Sequence, residues 1–297
     1  MRVCFVPTLS ARSADCGSLF TLWRDYGRVT HDVTFDFSAC SFLRPQAVAF
    51  LGGLARLIEH RGGKVVFRWE TLLPAVAANL AQNGFMQAFQ HTQGPWKGNS
   101  VPYLHHPTRS PEAFSDYVHQ AWLGRGWVGM SGKLADHMTG SMSEAYLNAF
   151  EHADSPVGIH CCGQFFPSFK VLSLTLVDFG IGIPNRVRRF KKTELPGVHL
   201  AAAQCMEWAF QQGASTRSGE MSGGLGLDIL RSFVTVNKGT LEFYSHEGRA
   251  FVEDGATKFS TCDDYFEGTM ITLLLRCDDR YYDLGSELAS LNPFQSP

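Results

Sequence analysis

A chain of 297 residues with 44% hydrophobic and 18% charged residues is long enough for one large or two ordinary globular domains, and its composition excludes disorder. A formal net charge of −2 excludes a general electrostatic hold on nucleic acid. No apolar run approaches the ~20 residues of a membrane span, so neither nucleic acid nor membrane is expected as a partner.

The first 16 residues have a short apolar core without a convincing cleavage site and read as a first strand rather than a signal peptide. Val33, Phe35 and Phe37 alternate as a strand does. Pro45 suits a first helical turn, and Val48, Leu51, Leu54, Ala55 and Ile58 form an apolar stripe that stops at Gly62 and Gly63. KVVFRW (64–69) is a second strand, and TLLPAVAANLAQNGF (71–85) a second helix ending near Gly84. Strand, helix, strand, helix makes a small α/β unit. The stretch GPWKGNSVPYLHHPTRSP (94–111), rich in Gly and Pro, reads as a domain boundary. His105 and His106 there are expected to be part of the linker, not metal ligands.

From Glu112 a helical pattern runs to Ala153. FKVLSLTLVDFG (169–180) is an apolar, buried strand ending at Asp178, and GIGIP turns the chain. Residues 198–213 are helical, and 223–239 are a Gly-rich loop entering a helix. GTLEFYS and GTMITLLLRC are the last strands. The tail after Arg280 has no assigned role. The eight cysteines include no C-x-x-C pair, so reduced, mostly buried thiols of a cytoplasmic protein are expected.

Within SEAYLNAFEHAD (143–154), Glu144, Asn148 and His152 recur every four residues, and at ~100° per residue they share one ridge of a helix. Alone, such a ridge is an ordinary solvated face. Asp178 closes an apolar strand and is followed by Gly180 and Gly182, where backbone can approach a flat ligand whose amino group the carboxylate would accept. Gly224 and Gly226 lie in a Gly-rich loop that precedes a helix beginning near Asp228, as phosphate-binding loops do. Thr269 leads the last strand.

In order and spacing, EAYLNAFEH, DFGIGIP, GGLGL and GTMITLLL resemble the conserved boxes of the GHKL ATPases, a superfamily that includes gyrase, a heat-shock chaperone, histidine kinases and the anti-sigma serine kinases. The resemblance spans residues 112–280 and implies a Bergerat ATP-binding fold, an α/β sandwich. It implies that Asn148 holds Mg²⁺, that Asp178 reads the adenine amino group, and that Gly180 and Gly182 floor the base pocket. It further implies that Gly224, Leu225, Gly226 and Leu227 lie at the phosphates, that Thr269 supports Asp178, and that His152 belongs to the ATP site without a defined role. Glu144 matches the general base of the hydrolysing and serine-kinase branches. No phosphoacceptor histidine motif accompanies it, and the wording is most similar to the anti-sigma kinases. Residues 1–93 resemble a STAS regulatory domain, although its junction, Leu43-Arg44-Pro45-Gln46, has no hydroxyl and Ser41 is out of register. The implied organisation is α/β (α+β) in two domains: 1–93, a linker at 94–111, the ATP-binding domain at 112–280, and a tail at 281–297. The segment between the second and third boxes, DFGIGIP and GGLGL, is the expected ATP lid; its Arg186, Arg188, Arg189, Lys191 and Lys192 read first as a solvated basic patch and otherwise as a docking patch for an acidic partner, and Arg217 as a phosphate contact.

Three functions follow as expectations. One is a Mg²⁺-ATP-dependent protein serine/threonine kinase using Glu144 as base on a partner's hydroxyl. Another is an ATPase that opens and closes a homodimer. The third is a non-enzymatic, nucleotide-gated module for a regulatory protein partner.

Overall fold

The computed structural model describes residues 2–9, 16–91, 98–151, 153–194, 200–211 and 225–283, with backbone only at 192–194 and 225–228. The protein is a mixed α/β fold. Its first elements are β1 (Arg2–Phe5), α1 (Gly17–Tyr26), β2 (Val33–Asp36), α2 (Pro45–His60), β3 (Val65–Arg68), α3 (Pro74–Gln82) and α4 (Phe85–Ala88). β1, β2 and β3 pair in parallel in chain order. Pro45 occupies the first turn of α2, and Gly62 follows the helix at φ +88°. The helix α1 was not expected.

Then come β4 (Ser100–His106), α5 (Pro111–Asp116), β5 (Gly129–Met130), α6 (Gly132–Glu151), β6 (Ile159–Phe166) and β7 (Val171–Asp178). They are followed by α7 (Gly182–Glu194), α8 (Ala202–Ala209), α9 (Leu225–Asn237), β8 (Thr240–Glu253), β9 (Ala256–Arg276) and β10 (Tyr281–Tyr282). An antiparallel five-stranded sheet has the order β4-β6-β7-β9-β8.

Three expectations need correction. Residues 94–111 are not only a connection, because β4 lies within them as an edge strand of the large sheet. Pro102 removes a ladder donor, which an edge strand tolerates, and the register shifts between Val101 and Leu104. His105 and His106 are therefore strand residues. His105 stacks on His160 at 4.3 Å, and Nδ1 of His106 shares a 2.9 Å hydrogen bond with the Tyr146 hydroxyl. The helical pattern from Glu112 to Ala153 is also interrupted. α5 continues through a π-helical turn (Tyr117–Trp122) and a short turn (Leu123–Arg125), and Gly126 at φ +71° ends it before α6 starts. Finally, Tyr281 and Tyr282, just after Arg280, have a structural role, while residues 284–297 of the tail lie outside the described residues. β10 pairs in parallel with β5, and Tyr282 is buried against Phe233.

The two sheets are not separated by a linker-jointed gap. Two apolar cores lie on opposite faces of the large sheet. One joins Leu172, Leu174, Leu176, Leu241, Phe243, Ile271 and Leu273 to α6 and α9. The other joins Cys162, Val177, Tyr244, Phe266 and Met270 on the back face to α1, α2 and the inner residues Cys4, Phe35 and Phe67 of the small sheet. Cys161 and Cys162 fall into opposite cores because successive strand residues face opposite ways. The layers are thus small sheet, helices α1 and α2, large sheet, helices α6 and α9. Twelve of the 16 residues of α2 are buried, as a helix between two sheets requires. All eight cysteines are free thiols and all but Cys262 are buried. Among the described residues, no helix is long and apolar enough to cross a membrane.

The shared core has a testable consequence. A fragment of residues 94–297 leaves Val177, Phe179, Tyr244, Phe266 and Met270 without their cover. Such a contiguous apolar face promotes association. The fragment is expected to bind a hydrophobic dye and to lack the single cooperative melting transition of the full chain. A fragment that melts cooperatively and stays monomeric would show that the second half folds alone.

Candidate functional site

β7 carries an unbroken apolar face until its last residue. Leu172, Leu174 and Leu176 face α6 and α9, and by the period of two the next position on that face is Asp178. Thr269 lies directly opposite Asp178 on β9, and Ser245 opposite Thr269 on β8. Three polar side chains thus form a row across three strands where the apolar face stops. All are buried: Asp178 is 6% exposed, Thr269 7% and Ser245 0%.

Burial disfavours the carboxylate of Asp178 and pushes its pKa up to about 7. Hydrogen bonds from Gly180 and Thr269 act the other way without restoring the ordinary value. The Gly180 N–H donates to Asp178 Oδ1 at 2.9 Å. This is a carboxyl placed in low dielectric at the end of a strand, with an energetic reason to gain a donor.

The turn after Asp178 admits no side chains at its glycines. A Cβ on Gly180 would sit 1.9 Å from the carbonyl oxygen of Ala153. Gly182 has φ +72°, and a Cβ there would sit 2.3 Å from the carbonyl oxygen of Glu267. Gly268, beside Thr269, would place a Cβ 2.0 Å from the Asp178 carbonyl oxygen. The Ile181 N–H donates to Ala153 O at 2.6 Å, which ties the turn to the residue two beyond the end of α6.

α6 buries Leu134, Met138, Met142, Tyr146 and Ala149 and leaves Asn148 exposed and Glu144 half-buried. At ~1.5 Å per residue, Asn148 lies ~4.5 Å and Glu144 ~10.5 Å along the axis from Glu151, the last residue of α6. The outer ridge of α6 therefore leads to the Asp178 turn, with an oxygen donor on each of two successive turns. His152 lies outside the described residues. α9 lies on the same face of the sheet and ends at the opposite end of the strands from this turn, where Asn237 Oδ1 accepts the Arg276 N–H at 2.7 Å and its Nδ2 donates to Arg276 O at 2.9 Å. A short turn then leads into β8, which runs back beneath the helix and ends its first stretch at Ser245. The backbone of Leu225, Gly226 and Leu227 forms the first helical turn of α9, at the end of the helix away from that clamp. Gly224 and Arg217 lie outside the described residues.

Two residues of the site had not been singled out in the sequence. The Ser245 hydroxyl donates to Gly268 O at 2.9 Å and accepts the Ile183 N–H at 2.9 Å, satisfying a donor in the first turn of α7. It was detectable as a serine at the inward position that follows Leu241 and Phe243. His246 sits in the β8 bulge at φ +54°, and its Nε2 donates to Ile181 O at 2.9 Å. Burial lowers its pKa, which favours the neutral ring. Nothing in periodicity announces a bulge. The basic segment of the expected lid lies within α7, where Arg188 Nε donates to Leu200 O at 2.9 Å and the Lys191 ammonium lies 5.0 Å from the Trp208 ring.

Among the described residues no cluster of three or more His, Cys, Asp or Glu could hold a metal ion. A metal bound through one or two side chains and a ligand's own oxygens remains compatible with the Glu144–Asn148 ridge, whose oxygens are hard donors. Compared with known proteins, the sequence matches no family model, and no curated protein is significantly similar to it.

Proposed function

We propose that the protein is a Mg²⁺-ATP-binding regulatory protein of the GHKL kind, and that it transfers the γ-phosphoryl group to a serine or threonine of a protein partner. The observation that carries this reading is the Asp178 carboxyl, buried and raised to about 7 beside Thr269, with three glycines around it that admit no Cβ. Such a site suits a flat ring with an exocyclic amino group. Asn148 supplies a hard oxygen for Mg²⁺, which would neutralise phosphate charge. Glu144, one turn away, takes the proton of the partner's hydroxyl as that oxygen bonds to the γ-phosphorus and the bond to the leaving ADP oxygen breaks. The first turn of α9 offers backbone N–H groups to phosphate.

A second reading is an ATP-driven conformational cycle in which Glu144 activates water. The packing of α1 and α2 against the residue after Asp178 favours it, because nucleotide state and the N-terminal half are then mechanically joined. The experiment is incubation of the full chain with γ-labelled ATP and Mg²⁺, alone and with lysate. Label on a lysate protein supports the kinase, and free phosphate without lysate supports the cycle. Absence of saturable ATP binding would overturn both.

A further inference from the structure

Resting on the nucleotide reading above, we infer that the N-terminal half positions the Asp178–Thr269 pair through Phe179 and Phe266, with Gly53 of α2 as the contact that sets the position. Asp178 faces α6 and α9, so its neighbour Phe179 faces the other way, into the core built by α1 and α2. Phe179 is 4% exposed. Its ring centroid lies 5.3 Å from Phe50, 6.0 Å from Trp23 and 5.3 Å from Phe266. Phe266, fully buried three residues before Thr269, stacks on Phe20 of α1 at 5.4 Å and lies 5.1 Å from Phe50. Both strands that carry the polar pair are therefore anchored, within a few residues of it, in one aromatic cluster that the first half completes.

Gly53 lies inside a helix, where glycine is disfavoured relative to alanine. The ring accounts for it: a Cβ at Gly53 would sit 2.0 Å from Phe179 Cε2. The backbone around Asp178 has little slack to absorb a displaced ring, since Gly180 and Gly268 already touch carbonyl oxygens of Ala153 and Asp178 where a Cβ would be. Packed aromatic clusters rearrange rather than deform smoothly. A shift of α2 thus reaches the carboxyl of Asp178 through one peptide unit. Coupling of this kind is reciprocal, so nucleotide bound at Asp178 must also tighten the packing of α2.

The test is calorimetric titration of the full chain with Mg²⁺-ATP for wild type, Gly53→Ala, Phe179→Leu and the double variant, with a melting curve for each. Gly53→Ala is expected to weaken binding about tenfold, or ~1.4 kcal/mol. Phe179→Leu in that background, by making room for the methyl group, is expected to restore affinity to within about threefold of wild type. A merely structural role would lower the melting temperature and leave the affinity of the folded protein unchanged. Folded Gly53→Ala with wild-type affinity, or a folded double variant without recovery, overturns the inference while leaving the nucleotide site intact. Should Gly53→Ala not fold, amide exchange on the wild type decides. Slower exchange at residues 50–55 of α2 on adding Mg²⁺-ATP supports the coupling, and unchanged exchange there overturns it. A wild type that binds no ATP overturns this inference together with the reading on which it rests.

Discussion

Asp178→Asn is expected to lower ATP affinity by about one to two orders of magnitude and, above pH 7, to make the unliganded protein more stable. Both effects come from the same burial. The folded chain holds the carboxyl at about 7 against an ordinary 3.8, so keeping it ionised at pH 8 costs the fold about 4 kcal/mol. The sign follows from the direction of the shift. Below pH ~4 the group is protonated in both the folded and unfolded states and costs nothing. The cost grows as pH rises from there and is complete above about 7. Asparagine keeps an acceptor for the Gly180 N–H and carries no charge, so the melting temperature of the variant should exceed that of wild type at pH 8 and converge with it near pH 4. What the charge supplies is a charge-assisted hydrogen bond to a ligand amino group, ~1.5–3 kcal/mol when lost. Wild-type affinity for ATP should accordingly rise by about tenfold between pH 6 and 8, as the carboxyl ionises. The variant should lose that slope and also its preference for ATP over GTP, because an amide can donate to the carbonyl that guanine presents there. Titrations with both nucleotides at the two pH values check this. An Asp178→Asn protein that binds ATP as wild type does, with the same preference, would remove Asp178 from base recognition.

That cost also explains why Asp178 stood out in the sequence. An apolar strand that ends in a buried acid contradicts its own pattern, and such conflicts mark sites better than they mark folds. β7 followed directly from its apolar run, and the start of α2 from Pro45. The relation between the halves did not. AVAFLGGLA in α2 is apolar on every side, and read as a single stripe it suggests a helix covering one sheet. Its full roundness meant two sheets, and the glycines within it meant rings pressing against the backbone. The edge strand β4 was hidden by Pro102 and the flanking glycines, which also belong to linkers. Glu144 and Asn148 were placed on one ridge by spacing alone, and α6 puts them there. His246 could not be anticipated, since a bulge is set by two strands meeting out of step.

Glu144→Gln is expected to reduce product formation from γ-labelled ATP by a factor of ~10²–10⁴ and to leave ATP affinity within about threefold of wild type. The asymmetry follows from where the residue stands. It lies on the outer ridge of α6, half-buried and ~10.5 Å along the helix axis from Glu151, at the end of the helix that meets the Asp178 turn, so it is out of reach of the base. Glutamine keeps its shape and its capacity to hydrogen-bond but cannot take a proton. If the attacking group is a hydroxyl or water, removal of the proton acceptor slows attack without weakening the ground state, which lowers kcat and leaves KM for ATP nearly unchanged. Asn148→Ala should behave differently, weakening binding when Mg²⁺ is present and changing little when it is absent. Measuring label transfer, free phosphate and affinity on the same preparations separates these roles. A Glu144→Gln protein with full turnover would place the base elsewhere. If the wild type turns over no ATP yet binds it, Glu144 has no proton to move, and nucleotide acts by ordering the protein alone.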